Sequence, residues 1–262
     1  MDEIAAYNQT RWKALVEADA LFTRPALNLN ALSALEMVDR EERLGDVFAK
    51  DVLCLACGGG QQSAAFALLG ANVTVSDLSE EQLVRDAEAA AHYGLNIKIV
   101  QADMRDLSGF EGASFDIVHH AYSLNFVPGA RRVFLQVARI LRHGGIYHFN
   151  FANPFLMGIE QNSWNGKGYQ LAQPYDREAE ITYDDPSWVY ERDRNELVPS
   201  PKEFRHILSD IVNGLVDTGF VIRHMSDSCD IQPDVNAEPG TWDHFVAYAP
   251  PWLAVWAELD IE

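Results

Sequence analysis

Basic residues are scarce in this chain: 20 Lys and Arg stand against 39 Asp and Glu, a formal net charge of −19. A field of that sign repels phosphate backbones, so no nucleic acid partner is expected. Cysteine is scarcer still, with only Cys54, Cys57 and Cys229. An odd, low count does not build a disulfide framework. Cys54 and Cys57 form a C-x-x-C, but no second Cys or His pair at zinc spacing accompanies them, and no metal site is expected. No apolar run reaches membrane-spanning length, and residues 1–22 have neither a basic n-region nor an apolar h-region. These absences point to a cytoplasmic protein with no membrane partner.

What is present is an alternation of short apolar runs and helical stretches from about residue 50 onward, the mark of a parallel sheet with crossover helices. Residues 51–55 read as a buried strand broken by Gly58, Gly59 and Gly60, and residues 61–69 as a helix ended by Gly70. A β-branched strand at 72–76 finishes at Asp77. Ser79 is a candidate cap for a helix to Tyr93 that stops at Gly94. Strands follow at 96–100 and 115–119, then a helix over 131–141 with Val133, Phe134, Val137, Ile140 and Leu141 at 3.6 spacing, then a fifth strand at 146–151. Residues 153–200 lack strong periodicity and read as an insertion. Pro201 to Thr218 reads as a helix with Ser200 as its cap and Pro201 in its first turn. Phe220–Met225 and Trp242–Tyr248 are the last two strand candidates. The polar loop between them has no helical pattern to serve as a crossover, so that pair should be antiparallel.

The stretch that carries chemistry is the glycine turn after the first strand, with an acid closing the second. Glycine lets a ligand approach the backbone where a Cβ would collide. The following helix N-terminus offers free N–H groups and a partial positive charge. An acid at the tip of the next strand, here Asp77, can accept both hydroxyls of a ribose. That combination implies a nucleoside-containing cofactor. A dinucleotide fingerprint beginning at Gly58 would need glycine where Ser63 stands, which counts against a nicotinamide-dependent oxidoreductase. A second acid, Asp103, ends the third strand, where it can accept an adenine amino group with Met104 over the ring face. His119 and His120 end the fourth strand at the ligand edge, and at most one of them should face the cofactor. Histidine has a suitable pKa for a general base, so both are candidate catalytic residues.

Five motifs in register, VLCLACGGG at 52–60, VTVSDLS at 73–79, QADM at 101–104, FDIV at 115–118 and LRHGG at 141–145, make the region 50–152 resemble the class I S-adenosylmethionine (SAM)-dependent methyltransferases. The resemblance implies an α/β, doubly wound, Rossmann-like seven-stranded sheet whose last two strands are an antiparallel hairpin. It implies SAM as cofactor and S-adenosylhomocysteine as product. The cofactor-binding set it suggests is Ala56, Cys57, Gly58, Gly60, Gln61, Gln62, Asp77, Leu78, Asp103, Met104 and His119. Tyr7, Arg11 and Trp12 resemble the N-terminal lid helix of small-molecule members, with Tyr7 and Trp12 offering aromatic faces to the sulfonium. The sequence departs from the family at Cys54 and Ala56, where an aspartate and a glycine are usual. That leaves a non-catalytic SAM-binding protein as an alternative.

With neither repeat nor low-complexity linker, residues 1–262 read as a single domain: an N-terminal helical lid (1–50), a SAM-binding core (51–152), a substrate insertion (153–200), and a C-terminal helix and hairpin (201–262). The insertion carries Trp164, Tyr169, Tyr175, Tyr183, Trp188 and Tyr190, together with Asp176, Glu178, Glu180, Asp184 and Asp185. These aromatics suit a pocket for a small-molecule methyl acceptor that is itself apolar or cationic.

Overall fold

In the computed structural model, residues 2–185, 189–190, 198–227 and 231–260 are described, so Trp188 and Cys229 lie outside the described residues. β1 (Asp51–Leu55), β2 (Asn72–Asp77), β3 (Lys98–Gln101), β4 (Phe115–His120) and β5 (Leu141–Ala152) pair in parallel in the order β3-β2-β1-β4-β5. β1 is apolar on both faces because it is covered on both. Leu53 and Leu55 join Phe134, Tyr147 and Phe149 on one side of the sheet, while Val52 and Cys54 join Phe66, Val75 and Trp256 on the other. Each large side chain so buried contributes about 1.5–3 kcal/mol.

The crossover helices follow from local signals. α3 (Gln62–Leu68) leaves the glycine turn. α4 (Glu80–Tyr93) is capped by Ser79, whose hydroxyl accepts the Gln82 N–H, and it ends on Gly94 in the left-handed conformation at φ 67°. α5 (Ala130–Ile140) buries Val133, Phe134, Val137 and Ile140 as its spacing requires. Ahead of the sheet lie α1 (Glu3–Glu17) and α2 (Ala31–Asp39), both capped by an acid or amide side chain.

The C-terminal third corrects two sequence expectations. Residues 201–218 are not one helix. β6 (Glu180–Thr182) and β7 (Lys202–Phe204) form an antiparallel ribbon, and α6 begins only at Leu208 and runs to Asp217. The extended backbone here buries Glu203, Arg205 and His206 against polar partners, which a helix starting at Pro201 would have swung apart. Likewise Trp242–Tyr248 is a helix, α7, with Thr241 at its N-cap and Phe245, Val246 and Ala249 buried on one side at helical spacing. Pro250 and Pro251 stop it, and the last strand is β9 (Trp252–Leu259). β9 lies between β5 and β8 (Phe220–Ser226), antiparallel to both, giving the full order β3-β2-β1-β4-β5-β9-β8. The last two strands are antiparallel as expected, although α7 sits in their connection.

Candidate functional site

The carboxyl ends of β1, β2, β3 and β4 open into a cavity of about 620 Å³. Its floor is the turn after β1. Ala56 holds φ 48°, a left-handed conformation costly for a residue with a Cβ, and its N–H donates to the Ser76 carbonyl at 2.7 Å. A Cβ on Gly58 would lie 2.6 Å from Gln82 Cβ and 3.0 Å from Asp77 Cγ. Gly60 holds φ 73°, and a Cβ there would lie 2.4 Å from the Arg85 carbonyl oxygen.

The turn is clamped by a residue on a neighbouring helix. The Asp86 carboxylate, fully buried on α4, accepts the Gly59 N–H at 3.0 Å, the Gly60 N–H at 3.1 Å and the Ser63 hydroxyl. Desolvation pushes its pKa up to about 7, against the opposing pull of those hydrogen bonds. Cys54, where the family usually has an acid, is a buried thiol in the strand core, so the loop is ordered from α4 instead. Sequence reading missed Asp86. The available signal was its spacing with Leu83 and Ala89, which puts an acid on the buried face of an amphipathic helix.

At the tip of β2, Asp77 is oriented by two backbone donors: Gly58 N–H at 2.9 Å and Ser79 N–H at 2.9 Å. Burial raises its pKa. Beside it Gln82 is 3% exposed and lines the cavity with its Oε1 lacking any partner, a buried acceptor that calls for a donor. Asp103 lines the cavity after β3 and is held by Arg105, which also bridges to Asp2 at 2.7 Å. Ala56, Cys57, Gly58, Gln61, Gln62, Leu78, Met104 and Trp12 line the same space. Gln61 is turned partly away, its amide donating to the Phe22 and Arg24 carbonyls.

Four of the residues named from sequence for cofactor binding or catalysis do not line the cavity. Gly60 supports the turn from behind. Tyr7 points elsewhere, donating its hydroxyl to the Ser200 carbonyl at 2.8 Å, with the Lys202 ammonium over its ring. His119 packs against Phe66 and pairs Nδ1 to Nδ1 with His148 at 3.0 Å, on the core side of the sheet. His120 faces the opposite core and meets the Tyr147 hydroxyl at 2.8 Å. Desolvation lowers the pKa of His119 to about 4 and of His120 to about 3. Both are neutral core residues at neutral pH, and neither reaches the cavity as a general base.

The far end of the cavity is aromatic and acidic. Trp12, Phe22, Tyr122, Phe126, Trp242 and Trp252 line it. Trp12 meets Phe126 edge-on at 5.6 Å, and Trp242 and Trp252 lie 5.5 Å apart. Behind them Glu203 of β7, 3% exposed, accepts the Tyr122 hydroxyl at 2.7 Å and the Tyr183 hydroxyl at 2.6 Å. From the 153–200 stretch only Gln161, Tyr183, Asp185 and Val189 line the cavity among the described residues. Trp164 and Tyr169 instead pack with His244 and Tyr248 of α7, and Tyr175 stacks on Phe155 at 4.8 Å. Among the described residues no group of three or more His, Cys, Asp or Glu could hold a metal ion, and no helix is long and apolar enough to cross a membrane.

A doubly wound sheet of this order, with a glycine turn and strand-end acids beside a cavity at its carboxyl edge, is of the Rossmann-like type, in which ligands bind at that edge. Comparison with known proteins narrows the class. Residues 53–149 match the family model described as a methyltransferase domain. The uncharacterized methyltransferase YbaJ of Bacillus subtilis is 37% identical over 175 residues, 65% of this chain and 66% of that protein. The ubiquinone biosynthesis O-methyltransferase of Cronobacter sakazakii is 28% identical over 197 residues, 72% of this chain and 76% of that one. Among solved structures, a putative SAM-dependent methyltransferase from Listeria monocytogenes superposes with a TM-score of 0.66 at 18% identity, covering 88% of this chain and all of that one. Over residues 53–149 the chain is therefore similar to methyltransferases, and it shares the fold of solved SAM-dependent methyltransferases.

Proposed function

We propose that this protein transfers the methyl group of SAM to a small-molecule acceptor held at the aromatic end of the cavity. The observation that carries the reading is that one cavity is lined both by the turn, Asp77 and Asp103 and by Trp242, Trp252 and Tyr122. The cofactor end fits the nucleoside. Asp77, already oriented by two N–H groups, has lone pairs left for the ribose hydroxyls, and the partnerless Gln82 Oε1 suits a hydroxyl or ammonium donor. Asp103 and Met104 serve the adenine. The clamp from Asp86 keeps the turn ordered despite the departures at Cys54 and Ala56, which supports cofactor binding.

Bound SAM supplies a methyl carbon already activated by its sulfonium. The chain's own contribution is alignment and exclusion of water, which is worth up to about 7–11 kcal/mol. α1 closes one wall through Trp12, and the post-β4 loop closes another through Tyr122 and Phe126. An enclosure of this size takes a small molecule rather than a polymer. A cytoplasmic setting belongs to the same reading, consistent with Cys54 and Cys57 both being free thiols.

Calorimetry tests the reading directly. SAM and S-adenosylhomocysteine should bind and NAD should not. Asp77→Ala should weaken SAM binding by about two to four decades, from two hydrogen bonds to a charged group at about 1.5–3 kcal/mol each. An unchanged dissociation constant in a folded Asp77→Ala protein removes that residue from the site.

A further inference from the structure

The acceptor end of the cavity has a definite electrical character. Among the described residues, the charged side chains that line the cavity are Asp77, Asp103, Asp185, Glu203, Arg11 and Arg105. Both guanidinium groups are paired with other acids, although the Arg11 Nε is buried without a hydrogen-bond partner. Arg11 pairs with Asp185 at 2.6 Å and donates to the Pro199 carbonyl, and Arg105 is held by Asp2 and Asp103. Among the described residues Glu203 therefore makes no ion pair, and Arg11 acts on it only at a distance, pulling its pKa down against the effect of burial. Its two oxygens are met only by phenol hydroxyls, each neutral, although a buried carboxylate ordinarily demands a positive partner. Against the same wall stand Tyr122, Trp252 and Trp242, with successive ring centroids 6.4 Å and 5.5 Å apart, offering π faces that attract a cation.

We infer that the acceptor is a cationic amine, drawn to the wall formed by Trp242, Trp252 and Tyr122 and neutralised by Glu203. This rests on the methyltransferase reading above and supplies its substrate class. The chemistry balances. The bound ammonium passes one proton to the Tyr122 oxygen while the Tyr122 hydroxyl proton crosses 2.7 Å to Glu203. The freed nitrogen lone pair forms the N–C bond as the S–C pair returns to sulfur. The products are a methylated ammonium, S-adenosylhomocysteine and a neutral Glu203, which releases its proton once the product leaves. Burial raises the Glu203 pKa, which suits it to receive that proton. Tyr183, on the other carboxylate oxygen, is a positioning residue.

The test uses three probes of one shape: 2-phenylethylamine, 2-phenylethanol and phenylacetate, titrated calorimetrically into protein saturated with S-adenosylhomocysteine. The amine should bind at least tenfold tighter than the alcohol, and the acid should not bind. Glu203→Gln should remove that preference while the affinity for S-adenosylhomocysteine changes less than twofold. Tyr122→Phe keeps the ring and stands in if Glu203→Gln folds poorly; it should weaken the amine at least threefold. Equal binding of alcohol and amine, binding of the acid, or an amine affinity untouched by both substitutions overturns the inference. Any of these with S-adenosylhomocysteine still bound leaves the methyltransferase reading standing. Failure of S-adenosylhomocysteine to bind overturns both.

Discussion

Asp86→Asn should make the protein more stable and a poorer SAM binder at the same time. An aspartate ordinarily ionises near pH 4. With Asp86 at about 7, the folded state holds a proton that the unfolded chain has already lost. The sign follows: Asp86 favours folding most below pH 4, and that advantage is lost as pH rises from about 4 to about 7, at up to about 1.4 kcal/mol per pH unit. At pH 7.5 the ionised side chain therefore costs up to about 4 kcal/mol that an amide would not. Asparagine gives part of this back. It offers one acceptor oxygen to Gly59 N–H and Gly60 N–H, and its NH₂ faces the other donor, for a loss of about 1–3 kcal/mol. The net expectation is a gain of about 1–3 kcal/mol at pH 7.5 that shrinks as pH falls and becomes a loss of about 1–3 kcal/mol by pH 4. SAM should bind about ten- to a hundredfold more weakly, because the misplaced donor loosens the turn. Urea unfolding from pH 4 to 8 reads the first effect and calorimetry the second. A variant less stable than its parent at pH 7.5, or one whose advantage is the same at every pH, refutes the reasoning.

The remaining expectations concern the turn and the histidines. Ala56→Gly relieves a left-handed alanine at about 1–2 kcal/mol and loosens the unfolded chain by about 0.4–1 kcal/mol, so thermal unfolding should show stability unchanged or raised by up to about 1.5 kcal/mol. Gly60→Ala should cost at least about 2 kcal/mol in the same assay, since its Cβ would drive into backbone rather than a yielding side chain. His119 and His120 should show no imidazole titration by NMR between pH 5 and 8, because desolvation keeps both neutral. A midpoint near 6.5 for either would show water reaching it.

The cofactor half of the molecule was legible because its signals are local. A buried strand, a glycine turn and a strand-end acid lie within 51–77, and each imposes its conformation on its neighbours. The acceptor half was not, because it is assembled from distant pieces: Trp12 from α1, Tyr122 after β4, Glu203 from β7, and Trp242 and Trp252 on either side of Pro250 and Pro251. Nothing local marks Glu203 as buried in so acidic a chain, and it is the ribbon with β6 that carries it into the interior. The helix expected from Pro201 obscured that ribbon. Trp242–Tyr248 misled because its aromatic and β-branched content suits a strand, whereas the spacing of Trp242, Phe245, Val246 and Ala249 is helical. His119 and His120 occupy the strand end where ligands bind, but their side chains leave through the two faces of the sheet rather than its edge.

β9 fills the slot between β5 and β8, yet it leaves the ribosome after both of them. Until it docks, β5 presents an open edge of unpaired backbone groups, a template for pairing with other chains. The contacts that close this gap are among the most distant along the sequence, and such pairings form slowly. Trp252, the first residue of β9, also belongs to the aromatic wall of the cavity. A growing chain therefore carries every group of the cofactor end by residue 104, and gains its acceptor chamber only in the event that seals its sheet. Slowing that event, by a substitution in β9 or a fast synthesis rate, trades soluble enzyme for aggregate before it changes anything about the chemistry.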